Sequence, residues 1–430
     1  MASQIVRVGL LGCGNVGCGV LRILDENRRE IEQRAGCGIE VKKAADIDWA
    51  RPRAYSVPHE KRTEDPWEIV KDPDIEIVVE VIGRTRPALD LVLASFENGK
   101  SVVTCNKELM AKEGRRIMEA AAEKGVDICF EGAVGAGIPV IRAVKEGLAG
   151  NRMRRIVAIL NGTTNYILTQ MAREGREFPE ALRMAQERRY AEKDPSDDIG
   201  GFDPAYKLAI LASVSFGSRV ALDTVYREGI EAISPVDMGY AAELGYVVKL
   251  LAIGADTPEG LELRVHPTLV PSSHPLAHVD DVFNAIYLEG SPIGEIMLFG
   301  RGAGAESTSS AVAGDIIDIA RNIRHGALGR VPCTCFEEKS PKSMEEVVSK
   351  HYIRMLVADR PGVLAKIASI FGNEGVSIAS VVQKRRVGEL AEIVLITHQV
   401  KERPVRRAIE RIRDLEDVDT VANWMRLLEE

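Results

Sequence analysis

The stretch Ile5-Val-Arg-Val-Gly-Leu-Leu-Gly12-Cys-Gly14-Asn-Val-Gly17 decides the fold of the N-terminal part of the chain. An apolar run leads into three glycines spaced G-x-G-x-x-G, and apolar residues then recur at helical intervals, which predicts one helix over Asn15–Arg34. Glycines at these positions allow a tight turn and let a pyrophosphate approach the free N–H groups at the start of a helix. The stretch therefore predicts a dinucleotide-binding strand, turn and helix. A glycine turn needed only for close packing is the alternative.

Strands and helices keep alternating along the chain to about residue 134. Further strands are predicted at Ile39–Ala45, Ile75–Ile82, Ser101–Cys105 and Val126–Phe130, with helices at Pro87–Asn98 and Glu113–Lys124. The run Ile75–Ile82 is almost wholly apolar, which is typical of a parallel strand covered on both faces. The fold class predicted is α/β, with a Rossmann-type doubly wound parallel sheet.

The rest of the chain changes pattern twice. Residues 135–304 are less regular and more polar, which predicts an α+β substrate and oligomerisation domain, and a helix at about 305–326 is expected to return to the domain of residues 1–134. Residues 327–350 carry Pro, Gly, Ser and charge without apolar periodicity, which is typical of a linker. Residues 351–430 have the order β-α-β-β-α-β of a ferredoxin-like unit.

Composition excludes several classes of protein. Among 430 residues, 45% are hydrophobic and 28% charged, and a formal charge of −8 argues against a nucleic-acid binder. No apolar run reaches the roughly 18–20 residues of a membrane span. The 7 scattered cysteines indicate reduced thiols and a cytoplasmic location rather than a disulfide framework. Cys333-x-Cys335 lacks partners for a zinc site.

A cluster of acids precedes a helix that carries a lysine. Asp203 followed by Pro204 is a strong helix start, and Lys207 lies four residues on, so the two side chains share one helical face. The simple reading is a capping Asp with a solvated lysine partner. However, the preceding loop holds Glu192 and Asp198 among other acids, which repel one another unless a cation binds. An ammonium-bearing substrate would meet that need.

Two charged positions follow strands of the predicted sheet, where open α/β sheets bind ligands. Lys107 comes directly after Ser101–Cys105, where a lysine can polarise a carbonyl, although surface lysines are common. Asp46 ends the second strand, where an acid would bind ribose hydroxyls and repel a 2′-phosphate, which favours NAD. Arg51 and Arg53 follow closely and would suit that phosphate, so the choice between NAD and NADP stays open.

Taken together and in this order, these segments resemble the homoserine dehydrogenase family. The segments that carry the resemblance are Gly12–Gly17, Val81–Thr85, Thr104–Lys107, Glu131–Pro139, Asn161–Asn165 and Glu192–Lys207. They extend over roughly residues 4–326, and the last two are much more specific than the glycine motif. The C-terminal stretch His351–Leu427, with Asp359-Arg-Pro-Gly-Val-Leu364, resembles an ACT domain, so the arrangement is similar to the long bacterial form.

The resemblance implies NAD(P)-dependent interconversion of L-homoserine and L-aspartate 4-semialdehyde, in the biosynthesis of threonine, methionine and isoleucine. It implies that Lys207 is the general acid/base, that Lys107 polarises the carbonyl, and that substrate is bound by Glu192, Asp198, Asp203 and Lys107. It implies a cofactor site made of Gly12, Gly14, Asn15, Val16, Gly17, Asp46, Thr85, Lys107 and Gly304. Arg84 departs from the family pattern, in which a small residue, often glycine, is common.

The resemblance also implies an ion, an effector and an assembly. A monovalent cation, expected to be sodium, would be held by the carboxylate of Glu131 and the backbone carbonyls of Val134, Ala136 and Ile138. A glycine-rich hinge without metal is the alternative. The ACT-like domain implies inhibition by L-threonine, with a ligand-free dimerisation module as the alternative, and a homodimer or homotetramer is expected.

Two other functions compete with this interpretation. Another amino-acid dehydrogenase on the same fold would leave the Glu192–Lys207 segment without a role. A non-catalytic amino-acid sensor would have no use for both Lys107 and Lys207. Turnover of homoserine with NAD or NADP would support the main hypothesis over both of these alternatives.

Overall fold

The structure is a computed structural model that describes residues 5–429. The chain divides into two compact units, each assembled from three segments. The first unit holds the chain up to Arg155 together with Tyr206–Thr224 and Asn284–Lys339. The second unit holds Ile156–Ala205, Val225–Phe283 and the chain from Ser340 onwards. The domain boundaries predicted from the sequence stay a prediction.

The elements follow one another along the chain with these bounds. The strands are β1 Ile5–Leu11, β2 Gly38–Ala45, β3 Arg62–Thr63, β4 Ile77–Glu80, β5 Ser101–Thr104, β6 Ile128–Cys129, β7 Arg152–Ile159, β8 Tyr226–Arg227, β9 Tyr246–Thr257, β10 Gly260–Pro271, β11 Phe283–Ser291, β12 Gly294–Arg301, β13 Val348–Ser349, β14 His351–Ala358, β15 Ile378–Val387, β16 Leu390–Thr397, β17 Val400–Lys401 and β18 Val418–Leu427. The α-helices are α1 Asn15–Glu26, α2 Arg28–Ala35, α3 Trp67–Val70, α4 Ala88–Glu97, α5 Lys107–Lys124, α6 Val140–Arg142, α7 Gly162–Glu174, α8 Phe178–Glu187, α9 Ser196–Ile199, α10 Phe202–Phe216, α11 Pro235–Glu243, α12 Ala305–His325, α13 Val363–Asn373 and α14 Glu402–Arg413.

The first unit is built on a parallel sheet. Its strands lie in the order β3-β2-β1-β4-β5-β6, and each neighbouring pair is parallel. The central strands are buried on both faces, because helices cover the sheet from both sides. The doubly wound sheet predicted from the sequence is confirmed.

The prediction of a single helix over Asn15–Arg34 is wrong, because the helix is interrupted at Asn27. Helix α1 ends before this residue, whose φ of −101° and ψ of 20° are not helical, and α2 begins after it. The break changes the direction of the chain while Ile31 and Ala35 stay in the same apolar core as Leu24. Tertiary packing therefore overrides the continuous helical periodicity of the sequence.

The helix expected to return to the N-terminal sheet does so. Helix α12 contributes Val312, Ile316 and Ile319 to the core of the first unit. Near its start, the Ser309 hydroxyl donates a hydrogen bond of 2.9 Å to the carbonyl oxygen of Val16 in α1. The two helices therefore pack directly on each other beside the glycine turn.

The second unit holds a mixed sheet in which β9, β10, β18, β14, β16 and β15 are successive neighbours. Strands β9 and β10 form a long antiparallel hairpin, and β10 then pairs in parallel with β18. The order β14-α13-β15-β16-α14-β18 confirms the ferredoxin-like unit. Sequence analysis did not predict the strands β9 to β12, although Leu261, Leu263 and Val265 alternate with polar residues in β10 as in a half-exposed strand. Among the described residues, no helix has the length and apolar character to cross a membrane.

Candidate active site

Most of the residues predicted to bind the cofactor lie at one edge of the parallel sheet. Gly12 follows β1, Asp46 follows β2, Thr85 comes after β4, and Lys107 comes after β5. Because these strands are parallel, their carboxyl ends share one edge, which is where open α/β sheets bind ligands. Gly304 immediately precedes α12, whose N-terminal part packs on α1.

The glycine turn has the geometry that its motif requires. Gly12 has a φ of +98°, and a Cβ atom there would lie 2.9 Å from the carbonyl oxygen of Val81. A Cβ atom on Gly17 would overlap the carbonyl oxygen of Gly12, so the third glycine allows the helix to approach the turn. Gly14 precedes α1 and offers no side-chain cap, which leaves backbone N–H groups at the helix start for a phosphate. These residues fit a dinucleotide.

Asp46 is held in place beside this turn. Its carboxylate accepts hydrogen bonds from the backbone N–H groups of Cys13, at 2.9 Å, and Asp48, at 3.0 Å. The guanidinium of Arg53 lies 3.3 Å from the same carboxylate and stacks on the ring of Trp49. Burial opposes ionisation, but these hydrogen bonds and Arg53 together lower the pKa of Asp46. The acid therefore stays ionised at neutral pH, next to a cation.

Glu80 is a site residue that sequence analysis missed. It is fully buried at the end of β4, where its carboxylate accepts hydrogen bonds from the Thr104 hydroxyl, at 2.6 Å, and from the N–H of Ile82, at 2.9 Å. Burial raises its pKa. Glu80 thus joins the turn that leads to Thr85 to the one that leads to Lys107. The sequence signal that could have identified Glu80 is a single acidic residue at the end of an otherwise apolar strand.

The turns after β4 and β5 are also joined directly. Asn106 caps α5 by accepting a hydrogen bond of 3.0 Å from the N–H of Leu109, and its amide donates one of 2.8 Å to the carbonyl oxygen of Arg84. Lys107 is the first residue of α5. Arg84 has a φ of 60°, in the left-handed region that favours glycine, which explains why a glycine suits this position in the family.

Two of the predicted substrate-binding acids meet at one amide. The side-chain nitrogen of Asn161 donates hydrogen bonds of 2.7 Å to Asp198 and 2.8 Å to Asp203. The amide oxygen of Asn161 accepts from the N–H of Thr164 and so caps α7. Asn161 therefore ties the helix start to both carboxylates. Its motif was recognised in the sequence, but this role was not predicted.

The helix that carries Lys207 differs from the alternative of a capping Asp203 with a solvated lysine partner. Helix α10 begins at Phe202, so Asp203 lies in its first turn, and its carboxylate binds Asn161. Asp203 is 2% exposed and Lys207, one turn later, is 6% exposed, so a solvated ion pair is wrong. Glu192, in contrast, lies in an exposed loop before α9.

The segment predicted to hold a cation forms a compact turn. The two carboxylate oxygens of Glu131 accept hydrogen bonds of 2.8 Å from the N–H groups of Ile141 and Arg142. Burial raises the pKa of Glu131. The carbonyl oxygen of Ile138 accepts from the N–H of Val140, and Ala136 has a φ of 41°. Among the described residues, no group of three or more His, Cys, Asp or Glu side chains is placed to hold a metal ion. The predicted site has a different ligand set, one carboxylate and three backbone carbonyls.

Comparison with known proteins covers the whole chain. Residues 12–131 match the family described as homoserine dehydrogenase, NAD binding domain, residues 139–317 match homoserine dehydrogenase, and residues 351–417 match the ACT domain. A homoserine dehydrogenase of Synechocystis is 45% identical over 98% of this chain and 99% of its own. One of Bacillus subtilis is 37% identical over 99% of this chain and 98% of its own.

A solved structure shows the same fold throughout. The homoserine dehydrogenase of Thiobacillus denitrificans superposes with a TM-score of 0.95 at 41% identity, covering 99% of each chain. With this similarity, the glycine turn at the edge of the parallel sheet and the acids gathered on Asn161, the chain belongs to the homoserine dehydrogenase family, the NAD(P)-dependent oxidoreductases that interconvert L-homoserine and L-aspartate 4-semialdehyde.

Proposed function

We propose that Lys207 is the general acid and base of this reaction. The nicotinamide supplies and accepts the hydride when it is bound. Reduction of the aldehyde leaves a developing alkoxide, and Lys207 donates the proton that neutralises it; in the reverse direction Lys207 removes the hydroxyl proton of homoserine. The observation that carries this role is the burial of Lys207, one helical turn beyond an acid that is itself held by Asn161. A lysine becomes a useful acid near neutral pH when burial or another cation lowers its pKa.

Lys107 and the acids complete the assignment. Lys107 polarises the carbonyl and contacts both substrate and nicotinamide, as the resemblance implies. Glu192 accepts the substrate ammonium, and Asp198 and Asp203 form the polar pocket. Because one Asn161 amide holds both aspartates, their spacing is set before substrate binds.

The Lys207→Ala variant tests the central role. We expect kcat to fall at least about 10³-fold while the Kd for dinucleotide stays the same, because loss of a general acid and base costs 10²–10⁴-fold. Lys124→Ala, which removes an exposed lysine at the end of α5, is the matched control. Substantial turnover in Lys207→Ala would remove this residue from the role.

Asp46 is proposed to favour NAD over NADP. Its ionised carboxylate suits ribose hydroxyls and repels a 2′-phosphate, whereas Arg53 is engaged by that same carboxylate. The Asp46→Ala variant should raise the ratio of kcat/KM for NADP to that for NAD by about tenfold, the effect of one removed charge repulsion. Arg53→Ala is the companion variant. If Arg53 holds the phosphate, it lowers kcat/KM for NADP alone. A homologous archaeal structure is described as a complex with NADPH.

The Glu131–Ile138 turn is proposed to hold a monovalent cation, with sodium as the expected ion. Glu131 is buried and supplies a carboxylate, while Val134, Ala136 and Ile138 supply carbonyl oxygens, the ligands that a hard cation prefers. The ion is structural in this proposal.

The ACT domain is proposed to bind L-threonine as an inhibitor. Arg360–Gly362 forms the turn between β14 and α13, and Gly362 has a φ of 92° directly before the helix. Calorimetric titration with L-threonine, together with turnover in its presence, tests the effector. Absence of both heat and inhibition would leave a module that only joins subunits.

Assembly and location complete the proposal. A homodimer or homotetramer is expected for an enzyme of this kind, and light scattering with size-exclusion chromatography measures it. The cysteines of the described chain are free thiols, which supports a reducing, cytoplasmic location.

A further inference from the structure

The short helix that carries Asp198 rests on one backbone segment of the second unit. The N–H of Ile230 donates a hydrogen bond of 2.9 Å to the carbonyl oxygen of Ile199, the last residue of α9. A Cβ atom on Gly229 would overlap that same carbonyl oxygen. The two backbones are therefore in direct contact, with no side chain between them that could absorb a shift.

A second close approach lies beside the first. Gly201, in the turn between α9 and α10, has a φ of +78°, and a Cβ atom there would lie 3.2 Å from the carbonyl oxygen of Glu228. The segment Glu228–Ile230 thus contacts both sides of the turn between Asp198 and Asp203. Any displacement of Glu228 must move this turn, because close-packed backbone transmits a shift rather than absorbing it.

The side chain of Glu228 is paired with the ACT domain. Its carboxylate lies 2.5 Å from the guanidinium of Arg426 in β18. Arg426 is 2% exposed and also binds Glu402 of α14, at 2.8 and 2.9 Å. A buried arginine held by two carboxylates has a fixed position, so Glu228 is located by the ACT domain.

Strand β18 connects this ion pair to the turn proposed to bind the effector. Asp417, immediately before β18, forms ion pairs with Arg360 and with Lys366, the latter at 2.5 Å. Arg426 lies at the other end of the strand and is paired in register with His351 of β14. Strand β18 pairs with β14 from Val418 to Arg426, with two register shifts, and with β10 at Arg426 and Leu427, so one hydrogen-bonded strand links Asp417 to Arg426.

We infer that the Arg426–Glu228 ion pair positions the turn that carries Asp198 and so transmits the state of the ACT domain to the substrate-binding acids. Glu228 is a positioning residue, since it acts through Gly229 and Ile230 on α9. This inference rests on the proposed roles of Asp198 in substrate binding and of the ACT domain in effector binding.

Two isosteric variants of the full-length enzyme test the inference. Glu228→Gln removes the charge that faces Arg426 from the segment in contact with α9. Glu231→Gln, the matched control, removes an exposed carboxylate directly after the same segment. Three readouts are compared: the steady-state constants, amide hydrogen exchange of residues 196–203, and binding of and inhibition by L-threonine.

For Glu228→Gln we expect the KM for homoserine to rise about fivefold or more, with kcat and the KM for the dinucleotide within about twofold. Amide exchange in residues 196–203 should be faster than in the wild type. L-Threonine should bind with a Kd within about threefold of the wild-type value, while the concentration for half-inhibition rises about tenfold. Glu231→Gln should leave the homoserine KM, the exchange of residues 196–203 and the inhibition at wild-type values.

The outcomes separate this inference from the proposed function. If Glu228→Gln matches Glu231→Gln in both homoserine KM and exchange of residues 196–203, the positioning role is overturned. If those two readouts change but inhibition does not, transmission is overturned and positioning stands. If wild-type enzyme neither binds L-threonine nor is inhibited by it, the effector proposal fails, and the KM and exchange readouts still decide the positioning role.

Discussion

The two units of the chain bury similar charges in different arrangements. The acid-rich cluster of the first unit consists of Glu131, Arg142 and Asp315. Its carboxylates are the deepest members, and Arg142 is 36% exposed and reaches Asp315 at 3.0 Å. Burial, together with the neighbouring Glu131, raises the pKa of Asp315 to about 7.

The arginine-centred cluster of the second unit consists of Glu228, Glu402 and Arg426. Here the arginine and Glu402 are both fully buried, Glu228 is about one third exposed, and both carboxylates contact the guanidinium directly. Burial alone would lower the pKa of Arg426, but the two carboxylates raise it above its usual value. Two carboxylates and an arginine therefore behave differently according to how deeply the arginine is buried. Both clusters contain two carboxylates and one arginine, but in the second a further cation, Arg406, also pairs with Glu402, at 2.8 Å, and balances the charge.

Removal of each arginine should give the largest difference in stability between the two clusters. Arg426→Met leaves the fully buried Glu402 with only the partly exposed Arg406 as a cation, and should lower the free energy of unfolding of the second unit by about 3 kcal/mol. Arg142→Met should cost only about 1 kcal/mol, because Asp315 can take up a proton and Arg142 is partly exposed. Urea unfolding followed by the fluorescence of Trp424, beside Arg426, and by circular dichroism measures both. Equal losses would show that the two clusters contribute alike.

Glycine replacement distinguishes the backbone near each cluster. Gly229→Ala puts a methyl group onto the carbonyl oxygen of Ile199 and should destabilise the second unit by about 1–3 kcal/mol and raise the KM for homoserine. Gly314→Ala, next to Asp315 in α12, meets open space and should stabilise the first unit by up to about 1 kcal/mol, since alanine is the better helix former. A neutral Gly229→Ala variant would contradict the tight contact.

Exchange of the salt tests whether a monovalent cation binds beside Glu131, as proposed for the first cluster. Replacing sodium chloride with the chloride of a bulky organic cation should lower turnover several-fold, up to about tenfold, a coupling of roughly 1.4 kcal/mol. Glu131→Gln should lose most of this dependence, because the proposed ligand loses its charge. Unchanged activity of the wild-type enzyme in the organic salt would favour a hinge without metal.

A histidine beside the second cluster provides the smallest expected effect. Burial and the charge of Arg426 lower the pKa of His351 to about 3, and its Nδ1 accepts a hydrogen bond of 3.0 Å from Trp424. Its native pKa is below the unfolded value of about 6.5, so its contribution is complete above that pH and is lost as pH falls towards 3. The free energy of unfolding should therefore drop by about 1 kcal/mol between pH 7.5 and 5.5.

The His351→Gln variant is the control for this pH dependence. Glutamine keeps an acceptor for Trp424 but does not titrate, so part of the drop between pH 7.5 and 5.5 should disappear. His266 is also buried with a lowered pKa and accounts for part of the remaining slope. An identical slope in wild type and His351→Gln would show that folding does not lower the pKa of His351.

Local patterns in the sequence determined much of this protein. The glycine turn, the alternation of strands and helices up to residue 134 and the ferredoxin-like order after residue 350 follow from short-range periodicity and from the conformations that glycine permits. Motifs in a fixed order also identified the family. Such features depend on neighbours within a few residues, so they can be recognised from the sequence alone.

Only the tertiary structure decided which distant side chains meet. Asn161 binds Asp203 across 42 positions, and Arg426 reaches Glu228 across 198. It also decided that the first long helix, continuous by its apolar periodicity, breaks at Asn27, and that residues 246–301, for which the sequence predicted no element, form strands. The reason is physical: burial of a charge is tolerable only where folding supplies its partner, and no local pattern specifies which partner that will be.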